Sequence, residues 1–276
     1  MSDDIRIVTV SASSQVSEAD RGQVIVSGSY GGEYNAFHAA KWGIRGVVLC
    51  DAGIGKDDAG IRGLSYLDGV GVPAACADVW TCHIADGEHM LAHGVISFVN
   101  KAARALGCAK GMTVRACAEA MKAGPPQAVE LPPIAGGKRY TIRDVPGEPK
   151  VICLDAAPML TLEDAGAIAV TGSHAALFHG RPDGLIAPAV AAVFFSDGGV
   201  GLDAAGIRRL RLLDERNIPA GTAAAASAPI GDSRRIYQEG VLSYVNRSAE
   251  ELGAATGIPV SVFITMLLER ARGGTS

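Results

Sequence analysis

The stretch Asp51–Pro73, DAGIGKDDAGIRGLSYLDGVGVP, returns at Asp197–Pro219 as DGGVGLDAAGIRRLRLLDERNIP. Twelve of the 23 positions are identical at a constant shift of 146 residues, where ordinary composition would give about two. The shift holds further along the chain. GVISFVNKAARALG, from Gly94, matches GVLSYVNRSAEELG, from Gly240, at eight of 14 positions. Upstream, VSGS at Val26–Ser29 matches VTGS at Val170–Ser173 with a shift of 144, which places a two-residue insertion in the second copy between Ser173 and Val193. The chain is a tandem duplication.

Each copy reads as strands alternating with helices. An opening strand (Ile5–Val10; Val151–Leu154) leads to a second (Gln23–Val26; Ala167–Val170), then to a Gly/Ser turn and a short helix. A strand then ends at Asp51 or Asp197, and a helix follows with Ile61, Leu64 and Leu67 on one face. A strand begins near Pro73 or Pro219, a long helix starts at the caps Asp86 and Asp232, and a last helix starts after Gly111 or Gly257. This pattern predicts an α/β fold: a tandem duplication of a mostly parallel-sheet βαβ unit, helices on both faces, with pseudo-twofold halves. The predicted units are residues 1–123 and 149–276, joined by a Pro/Gly-rich linker at 124–148 that could include an edge strand at Arg139–Ile142.

Composition narrows the function classes. Hydrophobic residues make up 48% of the 276, charged residues 20%, and the net charge is -4. This excludes a disordered chain and gives no basic footprint for nucleic acid. The longest apolar run, Gly184–Phe195, contains Pro188 and is too short to span a bilayer, so no membrane partner is expected. The amino terminus, MSDDIRIVTV, does not read as a secretory signal, and the six cysteines show no CxxC spacing. A cytoplasmic protein with reduced thiols is expected, acting on a small polar or anionic molecule without a cofactor, with self-association as a homo-oligomer allowed for.

In open parallel sheets ligands bind beyond the carboxyl ends of the strands, so the loops there hold the candidate site residues. The first loop offers Ser27, Ser29, Gly31 and Gly32, matched in the second copy by Thr171, Ser173 and His174. Its hydroxyls could attack or bind, and its backbone N–H groups could hold an oxyanion. Alternatively, its serines cap a helix. The second loop runs from Asp51 through Lys56 to Asp57, and from Asp197 to Asp203. It has neither Walker nor EF-hand spacing. Asp57 and Asp203 read as helix caps, whereas Asp51 and Asp197 close buried strands and need partners. Lys56 faces Leu202 in the alignment, so a base could be confined to the first copy.

The third segment carries His83 in the first copy, where the second is nearly all alanine. His89 and His93, four residues apart, read as part of a polar helix face with Ser97, Asn100 and Arg104, and no metal is expected there. Ser97/Ser243 and Asn100/Asn246 are shared, which suggests that this face meets the other copy or another subunit. His174, His179 and Arg181 could converge on an anion. Together these residues suggest a hydrolase for a small amide, cyclic amide or ester: Ser29 attacks, Lys56 or His83 takes the proton, backbone N–H groups around Gly31 and Gly32 hold the oxyanion, and Asp51 is a further catalytic candidate. Ser27, Gly31, Gly32, Ser173, His174 and Asp197 would bind substrate. The alternatives are a non-catalytic small-anion module, or an isomerase or lyase using Asp51 and Lys56.

Overall fold

Alternating short apolar runs and helical segments produce two sheets of similar size. The computed structural model describes residues 5–126, 130–134, 137–181, 186 and 188–273. The first sheet has five strands in chain order: β1 (Ile7–Val10), β2 (Val24–Tyr30), β3 (Gly46–Cys50), β4 (Ala74–Ala77) and β5 (Ile96–Val99). β1 to β4 are parallel and β5 is antiparallel to β4. The second sheet repeats this as β7 (Val151–Leu154), β8 (Ile168–His174), β9 (Ala192–Ser196), β10 (Ala220–Ala223) and β11 (Leu242–Val245). It gains β6 (Arg139–Arg143), antiparallel to β7, from the segment expected as linker.

Helices cover both faces of the first sheet. Ile25, Val47 and Leu49 point to α1 (Glu33–Ala40) and α2 (Gly63–Asp68). Val24, Val26 and Val48 point the other way, to α3 (Gly87–His93) and α5 (Val114–Met121). In the second half, α6 (Arg209–Asp214) packs on one face, and α7 (Ser233–Glu239) with α9 (Val260–Gly273) on the other. All six cysteines are buried and free, and most behave as small core residues. Among the described residues no helix is long and apolar enough to cross a membrane.

The expected long helix after Asp86 is instead three pieces. α3 stops at Gly94, the chain runs on as β5, and α4 (Lys101–Ala105) starts at Asn100; α8 (Arg247–Glu250) is its counterpart. Val95, Ile96 and Val99 are β-branched, and Gly94 interrupts the helix. Asn100 then fixes the corner. Its Oδ1 accepts from Ala74 and Ala103 N–H, and its Nδ2 donates to Val72 O. Asn246 does the same with Ala220, Ala249 and Ile218. The shared asparagines are therefore internal to each half, and so is Ser97, which donates to Cys76 O. They do not form a contact face between copies.

The Gly/Ser segments also differ from expectation. β2 and β8 continue through them after a register shift, so Ser29 and Ser173 lie on strands. Gly32, not a serine, caps α1. In the second half the described residues between β8 and β9 contain a single 3-10 turn, Phe178–Gly180, instead of a helix. Gly180 and Pro188 disfavour a helix there.

Candidate functional site

The loops that the two copies share most strongly meet each other across the approximate twofold. Ala52, Gly53, Ile54 and Gly55 all have φ between 47° and 71°, and Gly198, Gly199, Val200 and Gly201 between 58° and 75°. The glycines take positive φ without strain, whereas Ile54 and Val200 each cost about 1–2 kcal/mol there. Reciprocal hydrogen bonds hold the two turns in place: Lys56 N–H to Ala225 O at 2.8 Å and Leu202 N–H to Val79 O at 2.9 Å.

Asp51 and Asp197 serve this junction. Asp51 Oδ1 accepts from Gly53 N–H at 3.0 Å and Val79 N–H at 3.1 Å. Asp197 Oδ1 accepts from Gly199 and Ala225 N–H, both at 3.0 Å. Burial raises the pKa of both carboxyls, and these N–H groups pull it back. The partners that a buried strand-end Asp requires are thus backbone amides together with a hydroxyl in each copy, Ser97 for Asp51 and Ser243 for Asp197.

Lys56 and His83 are also at the junction. Lys56 Nζ donates to Glu239 at 2.9 Å and to Ser227 O at 3.2 Å. The Glu239 carboxyl, bonded first by Arg235 and then by Lys56, is held down at about 2. Arg235 also reaches Asp57. On the opposite side of the twofold, His83 Nε2 lies 2.9 Å from Asp203 Oδ2 and its ring stacks on His89 at 3.8 Å. Asp57 and Asp203, expected as caps, have left-handed backbones and make cross-repeat contacts. Ser29 and Lys56 are therefore not brought together as a dyad. His93 follows His89 with ring centroids 4.6 Å apart. Among the described residues no group of three or more His, Cys, Asp or Glu is arranged to hold a metal ion.

Lys56→Met is expected to change unfolding free energy by no more than about 1 kcal/mol, because the pair is half-exposed and Arg235 still neutralises Glu239. Urea titration measures this. A loss several times larger would show that the lysine is essential to the junction.

Beside the junction a cleft of about 520 Å³ opens between the halves. Ser29, Tyr30, Tyr34 and Asn35 line it from the first half. Asp155, Ser173, His174, Phe178 and Arg209 line it from the second. The two serines are equivalent: Ser13 N–H donates to Ser29 Oγ and Ala157 N–H to Ser173 Oγ, each at 2.9 Å. Ser27 lies behind them, its hydroxyl 3.0 Å from that of Ser13. Gly31 N–H is already bonded to Cys50 O, so it is not free to hold an oxyanion. Gly32 faces a smaller neighbouring cavity of about 290 Å³. His179 leaves the expected anion cluster and lies 3.6 Å from Asp86.

His174 is buried, and its Nδ1 accepts from Ala176 N–H at 3.2 Å. Burial, then the nearby Arg209 charge, lowers its pKa to about 3. The neutral ring therefore carries its proton on Nε2 and acts as a donor. Sequence reasoning misses Arg209. It occupies the place of Gly63 in the repeat alignment, a Gly-to-Arg exchange directly after the matching AGIR segment. In the first half a Cβ at Gly63 would lie 2.7 Å from Ala36 of α1; in the second half an arginine side chain takes that position.

In comparisons with family models, curated proteins and solved structures, the chain matches none.

Proposed function

We propose that the protein takes a small polar organic molecule into the cleft between its repeats, held from two sides by Ser29 and Ser173. The observation behind this reading is the convergence of two equivalent serines, one from each copy, on one concavity of ligand size. Each Oγ accepts a backbone N–H, so each hydroxyl proton is available to a ligand acceptor. A metabolite screen by thermal shift, followed by hydrogen exchange on each hit, tests the proposal. Protection is expected at the ends of β2 and β8 and at Asp155–Leu160, and Ser29→Ala should weaken binding about tenfold. Ligands that protect other segments and are indifferent to Ser29→Ala would overturn it.

A second reading, hydrolysis of a small amide or ester by Ser29, is favoured by the Ser13 N–H on its Oγ, which would stabilise a developing alkoxide. His174, as a donor, is poorly suited to be the base, and Lys56 and His83 act elsewhere. Treatment with a fluorophosphonate should label Ser29, with labelling lost in Ser29→Ala. An unlabelled protein would leave binding without this chemistry.

A further inference from the structure

We infer that the ligand of this cleft is a monocarboxylate with an apolar body, its carboxylate held by the Arg209 guanidinium and the His174 Nε2–H. The inference rests on the cleft being the binding site, as proposed above. Arg209 is 3% exposed and lines the cleft. Its Nη2 donates to Ala176 O at 2.8 Å, but its buried Nε has no partner among the described residues. Nor does any carboxylate among them lie within ion-pair distance of it, and burial alone shifts its pKa. The guanidinium rests on the ring of Phe195, 5.2 Å from the centroid.

Burial lowers the Arg209 pKa to about 10, so the group is still charged at neutral pH. A buried cation without an anion is costly to keep, and the first copy folds with glycine at the same place. The fold does not require this charge, but an anionic ligand does. His174 adds a second donor, since its Nε2–H has no acceptor among the described residues. The remaining walls select the rest of the molecule. Met159, Leu160, Phe178 and Ile186 are apolar, while the Asp155 carboxylate on the same cleft disfavours a second negative charge. One guanidinium, one neutral donor and apolar walls suit a monocarboxylate better than a phosphate.

The test is a thermal-shift titration of the full chain at constant ionic strength. Probes are butyrate, hexanoate and benzoate, their matched amides, and inorganic phosphate. Wild type should gain about 3 °C in Tm at roughly tenfold excess over Kd for the best carboxylate, and gain nothing from its amide. Arg209→Met should melt no lower than wild type in anion-free buffer, since it removes a buried charge that no carboxylate among the described residues pairs with, and should bind the carboxylate roughly 10- to 100-fold more weakly. Arg209→Lys, which keeps the charge, should retain part of the response and covers the case in which the Met variant fails to fold. Equal response to amides, preference for phosphate, or no response to any carboxylate would overturn the inference. An amide response that still protects Ser29 and Ser173 from hydrogen exchange would overturn the carboxylate class alone and leave the cleft as the binding site.

Discussion

Gly199→Ala is expected to destabilise the protein by about 3 kcal/mol, whereas Gly166→Ala should cost about 1 kcal/mol. The two glycines have nearly the same φ, +75° and +76°. Both substitutions therefore incur a positive-φ penalty. They differ in what a new methyl group meets. At Gly166 there is nothing within 4 Å. At Gly199 it would lie 2.7 Å from Gly53 N and 2.8 Å from the carbonyl group of Ala52, all backbone atoms in the opposing turn. Backbone cannot swing aside as a flexible side chain can, so the turns must separate. Separation would strain the Lys56–Ala225 and Leu202–Val79 hydrogen bonds that hold the halves together. Urea unfolding of both variants measures the difference. Equal losses would show that the two turns are not in tight contact. Because the cleft is formed between the halves, Gly199→Ala should also weaken any ligand bound there, and Gly166→Ala should not.

The repeat makes the α/β class, the two similar sheets and the helix caps Asp86 and Asp232 legible in the amino-acid sequence alone. Those features depend on local pattern, and each is written twice. Two kinds of feature are harder to read. Val95–Val99 passes for helix because its polar residues continue the spacing of His89 and His93, although β-branched residues after Gly94 favour a strand. The shared Asp/Gly loop stands out in the alignment, but sequence identity cannot distinguish a loop kept for a ligand from one kept to meet its own copy. Its left-handed turns and reciprocal hydrogen bonds assign it to the junction. Ser29, Ser173 and His174 do reach the cleft, whereas Lys56, His83 and Asp51 act at the junction. Arg209 is visible as a difference between the copies, opposite Gly63. An arginine opening a helix ordinarily faces water, and only the tertiary packing reveals that this one is buried.

Acid should destabilise this protein well above the range where carboxylates titrate, with His174 the largest single contributor. In an unfolded chain a histidine titrates near 6.5, while folded His174 is held at about 3. Between those values the unfolded state binds a proton that the folded state refuses. Stability from this group is therefore fully present above about pH 6.5 and lost as pH falls, at up to about 1.4 kcal/mol per pH unit. From pH 6.5 to 5 the expected loss is about 2 kcal/mol, and by pH 3 about 4 kcal/mol. His38 and His89 are shifted in the same direction, so they add to the slope. Asp51 and Asp197, shifted upward by burial, oppose it. Urea unfolding at pH 7, 6 and 5 for wild type and His174→Gln isolates the contribution, since Gln has no proton to gain. The variant should lose about 2 kcal/mol less than wild type over that interval. Identical slopes would mean that the imidazole is hydrated in solution and not buried against Arg209. The same depressed titration bears on ligand binding, because His174 stays a neutral Nε2–H donor throughout this interval. Carboxylate affinity, per folded molecule, should accordingly remain flat from pH 7 to 5 until the ligand itself begins to take up protons.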